Sequence, residues 1–224
     1  MSKGVNKELP KYTKGEEIFN AVSHIVGGAF GIVALVLGII FAIKFKHDNL
    51  SILSVIVYGV SMIILYTMSS IYHFLRPNRA KKLFRIFDHC TIFLLIAGTY
   101  TPICVILLRS YWWGIAILCF VWICTIIGIT FNAISMHNKT IKILSMVLYV
   151  LTGWCVVIMI VPLLKLWKGP GFYYLLAGGI VYTIGIIFYA FGKKAKYIHS
   201  VWHLFVLLGT ILQYISILFF IIIK

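Results

Sequence analysis

Seven long apolar runs divide this chain, at roughly 18–43, 51–75, 86–108, 112–132, 141–164, 172–192 and 198–223. A helix needs about 20 apolar residues to cross a hydrocarbon core, at 1.5 Å rise per residue. Each run meets that length. Nothing remains for a separate soluble domain, because the longest polar stretch is the first 17 residues. Soluble domains carry about a quarter of their residues as charges, whereas this chain is 62% hydrophobic and 11% charged. The expected fold class is all-α: a cytoplasmic tail over 1–17, then an integral membrane bundle of seven transmembrane helices over 18–224. The first run is too long for a signal peptide and is expected to stay as a helix of a multi-pass protein of the cell membrane.

The formal charge of +15 would point to nucleic acid in a soluble protein. In a membrane protein, placement matters more than the sum. Lys3, Lys7, Lys11 and Lys14 precede the first run, and Arg76, Arg79, Lys81, Lys82 and Arg85 lie between the second and third. Lys139 and Lys142 follow the fourth, and Lys193, Lys194 and Lys196 follow the sixth. These alternate segments hold fourteen basic residues against six on the other side, Lys44, Lys46, Arg109, Lys165, Lys168 and Lys224. The split predicts an inside N-terminus and an outside C-terminus. The partners it implies are membrane lipids, with some attraction to anionic headgroups, and not nucleic acid.

Cys90, Cys104, Cys119, Cys124 and Cys155 all fall inside apolar runs, without a CxxC pair. They are expected to be buried free thiols acting as small hydrophobes. Pro102 and Pro162 are expected to kink the third and fifth helices. "WKGPGF" reads as an outer turn, and the glycines of "IVGGAFG" and "LAGGIVYTIG" as sites of close helix packing.

The informative residues are the polar ones inside the apolar runs, where ionisable groups usually face the bundle interior and mark function. On the predicted topology Glu17, Asn20 and His24 lie near the inner end of helix one. Ser69 and His73 lie at the inner end of helix two, Asp88 and His89 at that of helix three, and His199 and His203 at that of helix seven. Residues far apart in sequence thus share one membrane depth. His47 and His137 fall in loops. His199 and His203 are i, i+4, the spacing with which HExxH enzymes present two nitrogens to one zinc. Ser69 and His73 share that spacing, and Glu17, Asn20 and His24 form an i, i+3, i+7 stripe. A third imidazole from helix two would complete a three-histidine set with an open position. Asp88 would then hold a bound water or orient a ligand.

Each residue also has a plainer reading. Paired histidines at a helix mouth can be interfacial or hydrogen-bonded, and His89 points about 100° away from Asp88 and serves packing or the interface. Ser69 can bond its own backbone four residues earlier, and Glu17 can cap helix one. His24 reads as a structural hydrogen bonder rather than a fourth ligand, and Asn132 and Gln213 as inter-helix bonds. None of these explains the common depth.

The segments "EEIFNAVSH", "SSIYH", "FDH" and "HSVWH" resemble the hemolysin III branch of the progestin and adipoQ receptor family, which is related to the alkaline ceramidases. The resemblance runs from about residue 15 to the end. It implies that His73, His199 and His203 are zinc ligands, with Asp88 and Ser69 close to the metal. It also implies an N-in, C-out orientation, and the short polar tail is similar to bacterial members. The expected function is a zinc-dependent membrane hydrolase of a lipid amide or ester. A lipid sensor with structural zinc and a cytolytic pore former are the alternatives.

Overall fold

The structure is a computed structural model that describes residues 9–135, 138–167, 169–192 and 195–224, without the side chains of residues 135, 159 and 162. Lys3, Lys7, Glu8, His137, Lys168, Lys193 and Lys194 lie outside the described residues. The elements are α1 (Lys14–Phe45), α2 (Asn49–Phe74), α3 (Arg79–Pro102), α4 (Trp112–Ser135), α5 (Lys139–Trp154), α6 (Ile160–Leu166), α7 (Gly171–Phe191) and α8 (Ile198–Ile217). Among the described residues there is no strand, and seven helices are long and apolar enough to cross a membrane. The chain is an integral membrane protein of the expected class.

The caps show why several helices begin where they do. Thr13 and Glu16 form a reciprocal capping box at α1. Asp48 accepts from the Ser51 N–H at 3.0 Å, and Asn78 from the Lys81 N–H at 2.8 Å. Such side chains satisfy backbone donors that a helix leaves open. They also start α1 and α3 several residues before the apolar runs, since hydropathy does not register polar first turns.

From α1 to α5 consecutive helices pack as antiparallel neighbours, as do α7 and α8, and α8 closes back onto α1. The span containing α3 is the most buried; those of α5 and α7 are the least. Gly27, Gly31, Ala34, Gly38 and Ala42 form the buried face of α1. A Cβ at Gly27 would run into the Tyr66 ring, and one at Gly38 into Val55, so backbone contact holds α1 to α2. The opposite face of α1, including Val22, Ile25, Ile32 and Val36, is exposed and apolar, as a lipid-facing surface must be. Polar contacts join the helices inside. Thr210 of α8 lies 2.7 Å from the Tyr66 hydroxyl of α2 and 2.6 Å from that of Tyr182 on α7. Asn132 bonds Tyr149 and Ser145, the expected inter-helix role, whereas Gln213 lines a cavity.

Two distortions follow the prolines. After Pro102 the backbone widens into a π-helical turn, Ile103–Leu107. The second break comes earlier than Pro162, as a 3-10 segment over Cys155–Met159. Proline lacks the N–H that would bond the carbonyl four residues back, so for Pro162 the missing bond falls within that 3-10 segment. Gly169 takes a positive φ of 83° in the expected turn. Cys90, Cys104, Cys124 and Cys155 are buried free thiols, but Cys119 is exposed, because it sits on the outward face of α4.

Candidate metal centre

The starts of α1, α3 and α8 and the end of α2 meet at one end of the bundle, and the polar side chains singled out above meet there too. His73, His199 and His203 are 2%, 8% and 2% exposed, and one ligand atom from each lies within 4.8 Å of the others. The i, i+4 pair on α8 turns both Nε2 atoms together, 3.2 Å apart. Two nitrogens bound to one tetrahedral zinc at 2.0–2.1 Å stand about 3.3 Å apart. The fit is therefore close.

The third imidazole is oriented from α1. His73 Nδ1 lies 2.7 Å from Glu17 Oε2, and 3.5 Å from the Asn20 amide. A carboxylate accepts, so Nδ1 carries the proton and Nε2 is left as a lone pair. Nε2 is buried with no hydrogen-bond partner. The other Glu17 oxygen accepts from Lys81 Nζ at 2.6 Å, which also donates to the Leu75 carbonyl at 3.0 Å. Lys81 is 2% exposed. Carboxylate, imidazole and an open nitrogen in line form the arrangement that metal-binding histidines use.

Several plainer readings are overturned. Glu16, not Glu17, completes the cap of α1, which frees Glu17 for His73. Ser69 Oγ makes no hydrogen bond to its own backbone; it lies beside the Asp88 carboxylate without completing a bond to it. His24 completes no hydrogen bond through either ring nitrogen. Its ring lies over His203 instead, with centroids 3.8 Å apart, and meets Tyr66 edge-on at 5.1 Å. His89 is more than packing. Its Nδ1 donates to the Arg85 carbonyl at 2.9 Å, leaving Nε2 to accept from the Tyr189 hydroxyl at 3.0 Å. Asp88 Oδ2 is 3.7 Å from that ring.

His89 and Tyr189 also stand at one end of a partly open, apolar cavity between α3, α5, α7 and α8. It runs past Leu95, Ile96 and Val206 to Thr99, Trp154 and Gln213. Those last three also line a second cavity that continues to Phe172. From His89 to Thr99 the wall is ten helical residues, or about 15 Å. Tyr189 and His199 have ring centroids 6.2 Å apart, so the cavity ends beside the histidines.

The family model described as Haemolysin-III related matches residues 12–214. The chain belongs to this family. The match spans all seven membrane helices except the end of the last, and every residue of the cluster. Among similar haemolysin-III proteins, Hemolysin-3 of Bacillus cereus is 42% identical over 207 residues, covering 92% of each chain. The Hemolysin-3 homolog of Bacillus subtilis (strain 168) is 38% identical over 209 residues, 93% of this chain and 96% of its own. A more distant relative is the human Monocyte to macrophage differentiation factor, 21% identical over 220 residues, 92% of this chain and 85% of its own.

Sequence reasoning missed two contributors to this site in the haemolysin-III chain. Lys81 reads as a topology charge, and Tyr12 as part of a polar tail. A signal for Tyr12 exists in T-x-x-E at 13–16, which marks a helix start and puts Tyr12 directly before it.

Proposed function

We propose that His73, His199 and His203 hold one zinc ion at the inner end of the bundle, and that the protein hydrolyses an amide or ester bond of a membrane lipid. The observation that carries this is the His73 nitrogen left open by its bond to Glu17, facing a histidine pair at metal-ligand separation. Bound zinc would polarise a carbonyl and bring the acidity of a water near neutrality. The residues of the chain do the rest. Glu17 fixes the His73 tautomer, Asp88 takes the proton from the attacking water, and Ser69 donates a hydrogen bond to the carbonyl oxygen as charge develops there. The apolar cavity takes the acyl chain, and the seam between α5 and α7, which touch only sparsely, gives access from the bilayer. Asn20 and His24 flank the cluster, the Asn20 amide beside the His73 ring and His24 against the face of His203. The excess of basic residues on this side supports a cytoplasmic position for this end of the bundle.

The deciding experiment is elemental analysis joined to a lipid amide and ester hydrolysis assay on purified protein. Zinc with turnover supports a hydrolase. Zinc without turnover leaves a sensor with structural metal, and no zinc sinks the reading. The names of the two Bacillus relatives, Hemolysin-3 and its homolog, favour a second reading, cytolysis. Release of haemoglobin from erythrocytes by the purified protein would support it.

A further inference from the structure

Tyr12 lies just before the cap of α1, outside the membrane helices, yet it touches the histidine cluster. Its ring stacks on His199 with centroids 5.0 Å apart and planes 20° apart. The His73 ring is 5.8 Å away. Leu9, three residues earlier, is 8% exposed, so Leu9 and Tyr12 pack down onto the bundle end while Lys11 and Thr13 between and after them stay exposed. The phenol lies within electrostatic reach of Tyr189, Arg85, Glu17 and Asp88. That set spans both the carboxylates and the cavity end.

A clamp keeps the segment there. One Glu16 oxygen accepts from the N–H and the hydroxyl of Thr13, each at 2.7 Å. The other accepts from the Tyr197 backbone N–H at 2.8 Å. This single carboxylate ties the start of α1 to the start of α8, 181 residues away in sequence. Tyr197 holds a left-handed φ of 62°, uncommon for a bulky residue. Gly15 allows the approach, since a Cβ there would lie 2.7 Å from the Tyr197 hydroxyl oxygen.

We propose that Tyr12 is a further residue of the histidine site: residues 9–13 form a strap over it, and the Tyr12 ring controls the exchange of water and divalent metal with the three imidazoles. A ring stacked on the His199 face excludes water from that face. Metal leaving toward the membrane surface must first lift it. The contact is made by ring carbons, so the hydroxyl is dispensable for closure. The metal part of this proposal rests on the zinc-centre reading above.

The test is the rate at which a chelating dye strips zinc from the full chain in lipid nanodiscs. Tyr12→Ala should start with the same zinc content and lose it about two- to tenfold faster, the factor that one stacked aromatic pair supports. Tyr12→Phe should match the wild type, which a hydroxyl ligand would not allow. Glu16→Gln keeps the ring but weakens the clamp, and should also speed release; it carries the test if Tyr12→Ala does not fold. Wild-type release rates in zinc-loaded Tyr12→Ala and Glu16→Gln would overturn the strap. A wild-type protein that binds no zinc would overturn the metal centre instead. The strap is then read from modification of His199 by diethyl pyrocarbonate, mapped by mass spectrometry. Faster modification in the variants upholds it, and equal rates overturn it.

Discussion

His73 donates its Nδ1 proton to Glu17 across 2.7 Å, joining the end of α2 to the start of α1. The same carboxylate accepts from the buried Lys81 of α3, so one side chain ties three helices together and sets one imidazole tautomer. Glu17→Gln keeps the shape and loses the charge. Zinc affinity, measured by competition with a chelator, should weaken about 10–100-fold, the usual effect of losing a group that orients a metal ligand. An unchanged affinity would reduce Glu17 to a structural bond.

The wild-type protein should carry about one zinc per chain, as a single three-histidine site implies. His199→Ala or His203→Ala should lose most of it by elemental analysis. His47→Ala should lose none, because His47 follows α1 at the opposite end of the bundle. Full zinc in the His199→Ala, His203→Ala double variant would remove the metal centre.

Asp88→Asn separates proton transfer from metal binding. Zinc should stay, while lipid hydrolysis falls by a general-base factor of roughly 10²–10⁴. His73→Ala should lose both. Full turnover in Asp88→Asn would leave that carboxylate without a proton role.

The extent to which this was legible in the sequence differs by residue. The spans were legible because bilayer crossing demands long apolar runs. His73, His199 and His203 were legible because alternating topology and i, i+4 spacing together fix depth and face. The role of Glu17 was not. Choosing between a cap and a ligand holder depends on which of two adjacent glutamates faces Thr13. The T-x-x-E at 13–16 points to Glu16, and the helix start at Lys14 bears it out, but nothing in the spacing pairs Glu17 with His73. Lys81 was hidden for a related reason. Its place among five basic residues marks it as a surface charge, and only the packing of α3 against α2, with Glu17 of α1 beside it, buries it.

Orientation is tested without reference to metal. A C-terminal fusion to an enzyme active only outside the cytoplasm should be active, and a cytoplasm-dependent one silent. The reverse pattern would put the histidine end outside the cell.

At the far end of the bundle, Asp48 caps α2 and pairs with Arg109 at 3.0 Å. The Ser51 hydroxyl and backbone N–H hold its carboxyl below the ordinary range. A depressed pKa adds stability that is complete above the unfolded value, about 3.9, and is lost as pH falls through the folded value. Asp48→Ala should therefore destabilise by about 1 kcal/mol at pH 7. The gap in melting temperature should narrow below about pH 4. A gap of constant size down to low pH would assign the effect to packing.

The 32 residues of α1 make a rod about 48 Å long, against a hydrocarbon thickness of about 30 Å. Its first turn, which carries Glu17, therefore reaches the level of the headgroups when the rest of the helix spans the oil. That is the depth at which a resting lipid already carries its ester or amide linkage. For the reaction proposed, the substrate need not be lifted out of its leaflet. Turnover would then depend on the mole fraction of lipid in the membrane plane and would be insensitive to dilution of the vesicles in buffer.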